Sequence, residues 1–241
     1  MRLNNKKVLV TGAAKRIGRI ISLLIARMGG EVVIHHNNST AEAKSLQAEI
    51  MEIGQKAFIF QADFSESKST EIFIDQVFSH HDIDAVINNA SIFSDLNWAT
   101  TKIEDWRIHQ SVNLETPFLI IQAFAKSLRE EKRGRIINML DWRALKPGPD
   151  HLPYTISKAG LAALTKALAV SLAPKISING IALGAILPPK DSPALSAIVD
   201  DLPIPRWATI PELEETVTFL LAGPDYITGE IIHLDGGRHL V

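Results

Sequence analysis

Apolar residues in this chain fall into short unbroken runs, separated by stretches in which they recur every three or four residues. The first run, Val8-Leu9-Val10, leads into Thr11-Gly12-Ala13-Ala14-Lys15-Arg16-Ile17-Gly18. Apolar positions then return at Ile17, Ile20, Ile21, Leu24 and Ile25, the spacing of one helical face. Gly29-Gly30 stops that helix and Val32-Val33-Ile34 opens a second strand, so the segment predicts a strand–turn–helix–strand unit. The alternation continues with a helix over 40–53, a strand over 57–60 that runs on to Asp63, and a helix over 67–78. A fourth strand over 85–87 enters Asn88-Asn89-Ala90-Ser91. A long helical stretch over 103–130, with Pro117 at a turn or kink, precedes a fifth strand over 135–139. A helix over 154–173 and strands over 177–182 and 231–234 complete the pattern.

The strands are continuous apolar runs and not alternating ones, as required where helices cover both faces of a parallel sheet. The expectation is an α/β fold: one doubly wound, seven-stranded parallel domain over residues 1–241. The least regular segment is 187–211, with prolines at 188, 189, 193, 203, 205 and 211. It reads as a long loop with at most a short helix, placed to cover a substrate.

Composition narrows the function. At 46% hydrophobic and 22% charged residues, the chain is an ordinary globular one, and a formal charge of −2 gives no basic bias toward nucleic acid. The absence of cysteine excludes disulfides, a thiol nucleophile and Cys-ligated zinc, and fits a reducing compartment. The eight histidines show no metal-site spacing with carboxylates. The N-terminal residues carry no apolar segment of signal length, and no apolar run of about 18 residues occurs, so the expected location is the cytoplasm, without a membrane partner.

Candidate chemistry sits at the strand ends. Gly12 and Gly18 bracket a strand-to-helix turn, where free backbone N–H groups and the helix dipole suit a pyrophosphate. Arg16 adds a guanidinium to that turn. The second strand ends His35-His36-Asn37-Asn38-Ser39 with no acid; a carboxylate there would bond a ribose 2′-hydroxyl and repel a 2′-phosphate, so NADP is favoured over NAD. Donors for that phosphate are His36, Asn37, Asn38 and Ser39. Tyr154 and Lys158 lie one helical turn apart. An ammonium near a phenol lowers the tyrosine pKa and suits a general acid.

Taken in order, Thr11–Gly18, Asp63, Asn88-Asn89-Ala90, Asn113, Tyr154/Lys158 and Asp235-Gly236-Gly237 resemble a short-chain dehydrogenase/reductase over essentially the whole chain. The resemblance implies a Rossmann-type fold, a nicotinamide cofactor and a homotetramer. It places Asp63 at the adenine and Asn89 and Ala90 on the adenosine side, with Phe64, Gly184 and Ile186 also at the cofactor beside Gly12, Arg16, Ile17, Gly18, Tyr154 and Lys158. It gives Asn113 a water in a proton relay to Lys158.

Several positions depart from the family pattern. Arg16 and Ser91 stand where most members have Gly, Asp141 where the catalytic Ser stands, and Leu183-Gly184 where Pro-Gly is usual. The glycine turn, the segment from His35 to Ala43, Asn88–Phe93 and Asn138–Asp141 are similar to the pteridine reductases, although Leu183 is not explained by that subgroup. The resemblance implies NADPH-dependent reduction of a dihydropterin, and of dihydrofolate as a further substrate. Hydride would pass to a ring C=N carbon, with Asp141, Tyr154, Lys158 and Asn113 as the catalytic set. Arg16, Ser91, Phe93, Asp141 and Tyr154 would hold the substrate, Phe93 by stacking on the flat ring. Trp142, Arg143 and Trp207 are candidates for its edges. The rival readings are a carbonyl reductase of the same family, acting on a 3-oxoacyl thioester or another ketone, and a non-catalytic NADP sensor on the same fold.

Overall fold

The computed structural model describes residues 3–188 and 197–241. Seven strands, β1 Lys7–Val10, β2 Glu31–His36, β3 Ala57–Gln61, β4 Ala85–Asn88, β5 Gly134–Asp141, β6 Ile176–Leu183 and β7 Ile231–Leu234, form one sheet in the order β3-β2-β1-β4-β5-β6-β7. Every pairing is parallel. The order reverses between β1 and β4, and a cleft at the carboxyl ends of the strands beside that reversal is where such sheets take ligands.

Period-two alternation explains the two-sided core. Val8, Val10, Val32 and Ile34 pack on one face with Ile21 and Ile25 of helix α1 (Arg16–Arg27) and Leu46 of α2 (Thr40–Glu52). Leu9, Val33 and Val86 pack on the other, with Phe73 of α3 (Ser67–His80) and with Ile120 and Phe124. Neighbouring residues of one strand thus face opposite layers, which is why the runs carry no polar alternation.

The long helix expected over 103–130 is α4 (Ile103–Gln110), a π-helical turn (Ser111–Glu115) and α5 (Thr116–Ser127). Pro117 sits in the first turn of α5 and the irregularity precedes it. Proline has no N–H, so the regular bond to the Asn113 carbonyl cannot form, and the helix widens there. Strand β5 runs two residues beyond the predicted 139 and so carries Asp141 to the strand end. Helix α6 (Leu152–Leu172) is long and apolar enough to cross a membrane by length and composition, yet it packs on β5 and β6 and buries Tyr154 and Lys158.

Within the segment 187–211, residues 189–196 lie outside those described. After them come the short helix α7 (Ala197–Asp200) and α8 (Ile210–Ala222). Helix α8 was not predicted; its signal is the Thr209–Glu212 capping box, with Thr209 Oγ1 accepting from the Glu212 N–H at 3.4 Å.

His35 ties the first turn to the sheet. Its Nδ1 accepts the Gly12 N–H at 3.0 Å, and its Nε2 donates to the Ala62 carbonyl at 3.1 Å. The ring also stacks on Phe64 at 3.9 Å. Burial holds its pKa down at about 3. The unfolded chain therefore binds the extra proton first, so this contribution is complete above pH ~6.5 and is lost as pH falls toward 3. His35→Phe should lose about 1–3 kcal/mol at pH 7, because the Gly12 N–H is orphaned. It should also show a flatter stability profile between pH 6.5 and 4.5 than the parent in urea denaturation; equal slopes would remove His35 as the titrating group.

Candidate active site

Two glycine constraints build one end of the cleft. Gly12 has a left-handed φ of +60°, and a Cβ on it would lie 2.9 Å from the Ala90 Cα. A Cβ on Gly18 would overlap the Gly12 carbonyl oxygen. Asn89 Nδ2 donates to the carbonyls of Thr11 (2.9 Å) and Gly12 (3.1 Å), locking the turn against the end of β4. The α1 N-terminus that this turn feeds has no side-chain cap, so its backbone donors are left for a ligand. Arg16 opens the helix at φ +50°, in the left-handed region that a non-glycine residue rarely adopts. Its Nη2 donates to the Leu187 carbonyl at 3.1 Å.

From this turn a cleft of about 500 Å³ runs to the start of α6. Its lining brings together Arg16, Ile17, Asn89, Ser91, Phe93, Asp141, Tyr154, Lys158, Gly184 and Ile186 from the sequence-derived set. The other members lie outside that lining. Asn37 and Asn38 are exposed beyond β2, with Ser39 half-buried beside them. His36 is buried, with Nδ1 3.0 Å from the carbonyl of its neighbour Asn37. The Phe64 side chain is buried in the core. Asp63 sits at the β3 end, where the hydroxyl and N–H of Ser65 hold its carboxyl below the usual range.

The reactive end is built by β5 and α6. Tyr154 donates its hydroxyl to Asp141 Oδ2 at 3.1 Å, and the Arg143 N–H donates to Asp141 Oδ1 at 2.9 Å. Lys158, one turn along α6, is buried and donates to the Met139 carbonyl at 2.8 Å. The expected lowering of the tyrosine pKa is reversed. Burial and the Asp141 carboxylate hold Tyr154 well above its ordinary value, because the carboxylate accepts a hydrogen bond from the protonated hydroxyl while the ammonium points to a carbonyl. Tyr154 is thus a neutral donor. Burial brings Lys158 down to about 8, against a smaller opposing pull from Asp141.

Asn113 is fully buried at the π-helical turn. Its Oδ1 accepts from the Ile92 N–H (2.9 Å) and the Ser91 hydroxyl (3.1 Å), and its Nδ2 donates to the Ile92 carbonyl (3.1 Å) and Ser157 Oγ (3.0 Å). The side chain is occupied in holding the Ser91-Ile92 segment against α6. Pro117, four residues on, has no N–H to give the Asn113 main-chain carbonyl its regular α-helical bond.

Phe93 is 54% exposed, stacks on His151 at 4.0 Å and meets the Tyr154 ring edge-on at 4.7 Å. Trp142, Arg143 and Trp207, expected at the substrate edges, do line the cleft. His151 and Arg238 line it as well, and sequence reasoning missed both. Arg238 directly follows Asp235-Gly236-Gly237, which was its only available signal. Among the described residues no group of three or more His, Asp or Glu side chains is placed to hold a metal ion.

With the fold and site established, comparison with known proteins gives one consistent family. A family profile described as enoyl-(acyl carrier protein) reductase matches residues 12–239. The chain is 31% identical to a 3-oxoacyl-(acyl-carrier-protein) reductase of Synechocystis sp., over 98% of this chain and 97% of that protein. It is 32% identical to the corresponding reductase of Staphylococcus epidermidis, over 98% of this chain and 100% of that one. Among solved structures, FolM alternative dihydrofolate reductase 1 from Brucella canis, complexed with NADP, has a TM-score of 0.93 and 34% identity, covering 100% of this chain and 97% of that one. The chain belongs to the short-chain dehydrogenase/reductase family. It is an oxidoreductase of that family.

Lys158→Met should abolish turnover and alter the pH dependence of stability in a defined direction. The buried ammonium costs the fold most below pH 8, and that cost disappears as pH rises from about 8 toward 10.5. Denaturation across pH 7–10 should show the parent gaining stability relative to the variant as pH rises; parallel curves would mean that folding does not lower the Lys158 pKa.

Proposed function

We propose that this protein reduces a dihydropterin with NADPH. The observation that carries the reading is the Asp141 carboxylate, hydrogen-bonded to the Tyr154 hydroxyl at 3.1 Å in the cleft. A ketone reductase needs a hydroxyl there to hold a substrate oxygen. A carboxylate instead accepts from ring N–H and exocyclic amino groups, the donors a pterin presents. Phe93, exposed beside Tyr154, offers a flat apolar face for the ring.

The residues fit a nicotinamide dinucleotide. The uncapped α1 N-terminus, Arg16 and the Gly12–Gly18 turn would hold the pyrophosphate, with Ile17, Gly184 and Ile186 along the rest of the cleft. Asp63, Asn89 and Ala90 would take the adenosine side, with Phe64 contributing main chain only. The β2 end has no carboxylate and is followed by Asn37, Asn38 and Ser39, an end suited to a 2′-phosphate. The NADP in the FolM structure and the NADPH in a blue fluorescent protein structure, 27% identical with a TM-score of 0.91, support this assignment.

The bound cofactor supplies a hydride to the ring C=N carbon. Tyr154, kept neutral by Asp141 and by burial, gives its proton to the adjacent ring nitrogen. Asp141 orients the ring and Lys158 lies within reach of the tyrosinate that forms, its ammonium 5.8 Å from the ring centroid. Asn113 acts through its carbonyl, as the anchor of a water that returns the proton by way of Lys158. Self-association as a homotetramer in the cytoplasm fits the apolar outer faces of α5 and α6, where Phe118, Ile156 and Val170 are exposed.

The 3-oxoacyl reductases that are 31% and 32% identical favour a second reading, carbonyl reduction of a β-keto thioester. NADPH oxidation with dihydrobiopterin, dihydrofolate and a simple β-keto ester in parallel separates the two. Turnover confined to the pterins is expected; turnover only on the keto ester would overturn the pterin reading. Tyr154→Phe should cut the pterin rate by about 10²–10⁴-fold with NADPH affinity retained. Asp141→Ser should cost far more with pterins than with the keto ester, and equal losses would leave the carboxylate without a substrate role.

A further inference from the structure

The cleft holds more positive charge than its own carboxylates balance. Among the described residues of its lining are the cations Arg16, Arg143, Lys158 and Arg238, against the single carboxylate of Asp141. Three of the cations have a defined partner. Arg16 bonds the Leu187 carbonyl and Lys158 the Met139 carbonyl. Arg143 donates to Asp150 at 2.8 Å and lies 3.8 Å from Asp141.

Arg238 differs. Among the described residues no carboxylate lies within 4.0 Å of its guanidinium and no hydrogen bond from it forms. Its contact is the Trp142 ring, 4.4 Å from the guanidinium carbon. The same indole carries Arg143 at 4.6 Å, and Arg143 also lies 5.7 Å from Phe93. The Arg143 Nε is buried without a partner. Two guanidiniums therefore share one tryptophan, and among the described residues only one of them has a counter-ion. Burial and the Arg143 charge hold Arg238 below the usual arginine range, the sign expected of like charges brought together in a partly dry site.

The location separates this pair from the cofactor's phosphates. Arg16 sits at the glycine turn at one end. Trp142 and Arg143 directly follow Asp141, the residue argued above to hold the reacting ring. An anion met by Arg238 is therefore an anion of the substrate. A guanidinium stacked on an indole is fixed in plane with its donors outward, the geometry that takes a carboxylate by paired hydrogen bonds.

We propose that Arg238, positioned by Trp142 and Arg143, binds a carboxylate on the substrate's tail, so that the preferred substrate is a conjugated, anionic dihydropterin of the pteroylglutamate class and not an unconjugated pterin. This rests on the pterin reading above and adds the substrate class and a specificity residue.

The test measures kcat and KM for dihydrofolate and dihydrobiopterin with the parent, Arg238→Gln and Arg238→Lys. Arg238→Gln should raise the dihydrofolate KM about 10–100-fold, the loss of a charge-assisted contact, with kcat changed by less than about twofold. The preference for dihydrofolate over dihydrobiopterin should fall at least tenfold, roughly 1.4 kcal/mol, and Arg238→Lys should recover part of it. Salt should raise the parent's dihydrofolate KM more than the variant's. Equal KM shifts on both substrates, or no shift on either, would overturn the proposal, since a purely structural role cannot read substrate charge. Parent enzyme that reduces dihydrobiopterin but not dihydrofolate would overturn it while leaving the pterin reading standing. Should the parent reduce neither pterin, the pterin reading fails and the pteroylglutamate assignment of Arg238 is overturned with it.

Discussion

The Thr11 hydroxyl holds the switch point of the sheet together. It accepts the N–H groups of Asn89 and Ala90, each at 2.9 Å, and approaches the Ile87 carbonyl at 3.5 Å. That uses both acceptor lone pairs and the single donor. Asn89 returns two bonds to the Thr11 and Gly12 carbonyls, and His35 takes the Gly12 N–H. The ends of β1, β2 and β4 are thereby held in one polar knot under the cleft. Gly12 and Gly18 are needed because that knot leaves no room for a Cβ. The turn, the α1 N-terminus and the position of Arg16 follow from it.

At the other end of the cleft, electrostatics set the protonation states. Tyr154 faces a carboxylate and little water, so it keeps its proton and can only donate it. Lys158 is buried one helical turn away and stays close enough to neutrality to exchange a proton. Opposite shifts on neighbouring groups are what the proposed donor and relay roles require of a single site. The irregular helix between β4 and β5 supports the same site. Pro117 breaks the helical ladder at Asn113, and the Asn113 side chain makes four hydrogen bonds, to Ser91, Ile92 and Ser157. The segment bearing Phe93 is fixed to α6 by a residue that need not touch the substrate.

Much of this was legible in the chain. Continuous apolar runs and helical periodicity located the strands and most helices, because both signals are local. The glycine turn, the missing acid after β2 and the Asp141–Tyr154–Lys158 series were readable for the same reason, each being a short spacing within one element or at its end. Helix α8 escaped because the prolines before it masked the Thr209–Glu212 capping box, and the π-helical turn escaped because Pro117 marks a disruption without stating its form.

By itself the sequence determined the order of the seven strands, the doubly wound class and the family, and it named the candidate reactive groups, since these depend on residue types at fixed local separations. Only the tertiary structure decided that Tyr154 is held protonated, that His36 and Phe64 turn inward, that the Asn113 side chain is already occupied, and that Arg143 and Arg238 share the Trp142 ring. Those outcomes depend on distances between side chains far apart in the chain, and on the water excluded around them. Arg143 and Arg238 meet only because β5 and β7 run parallel in one sheet, so that the segments after them leave it at the same carboxyl end.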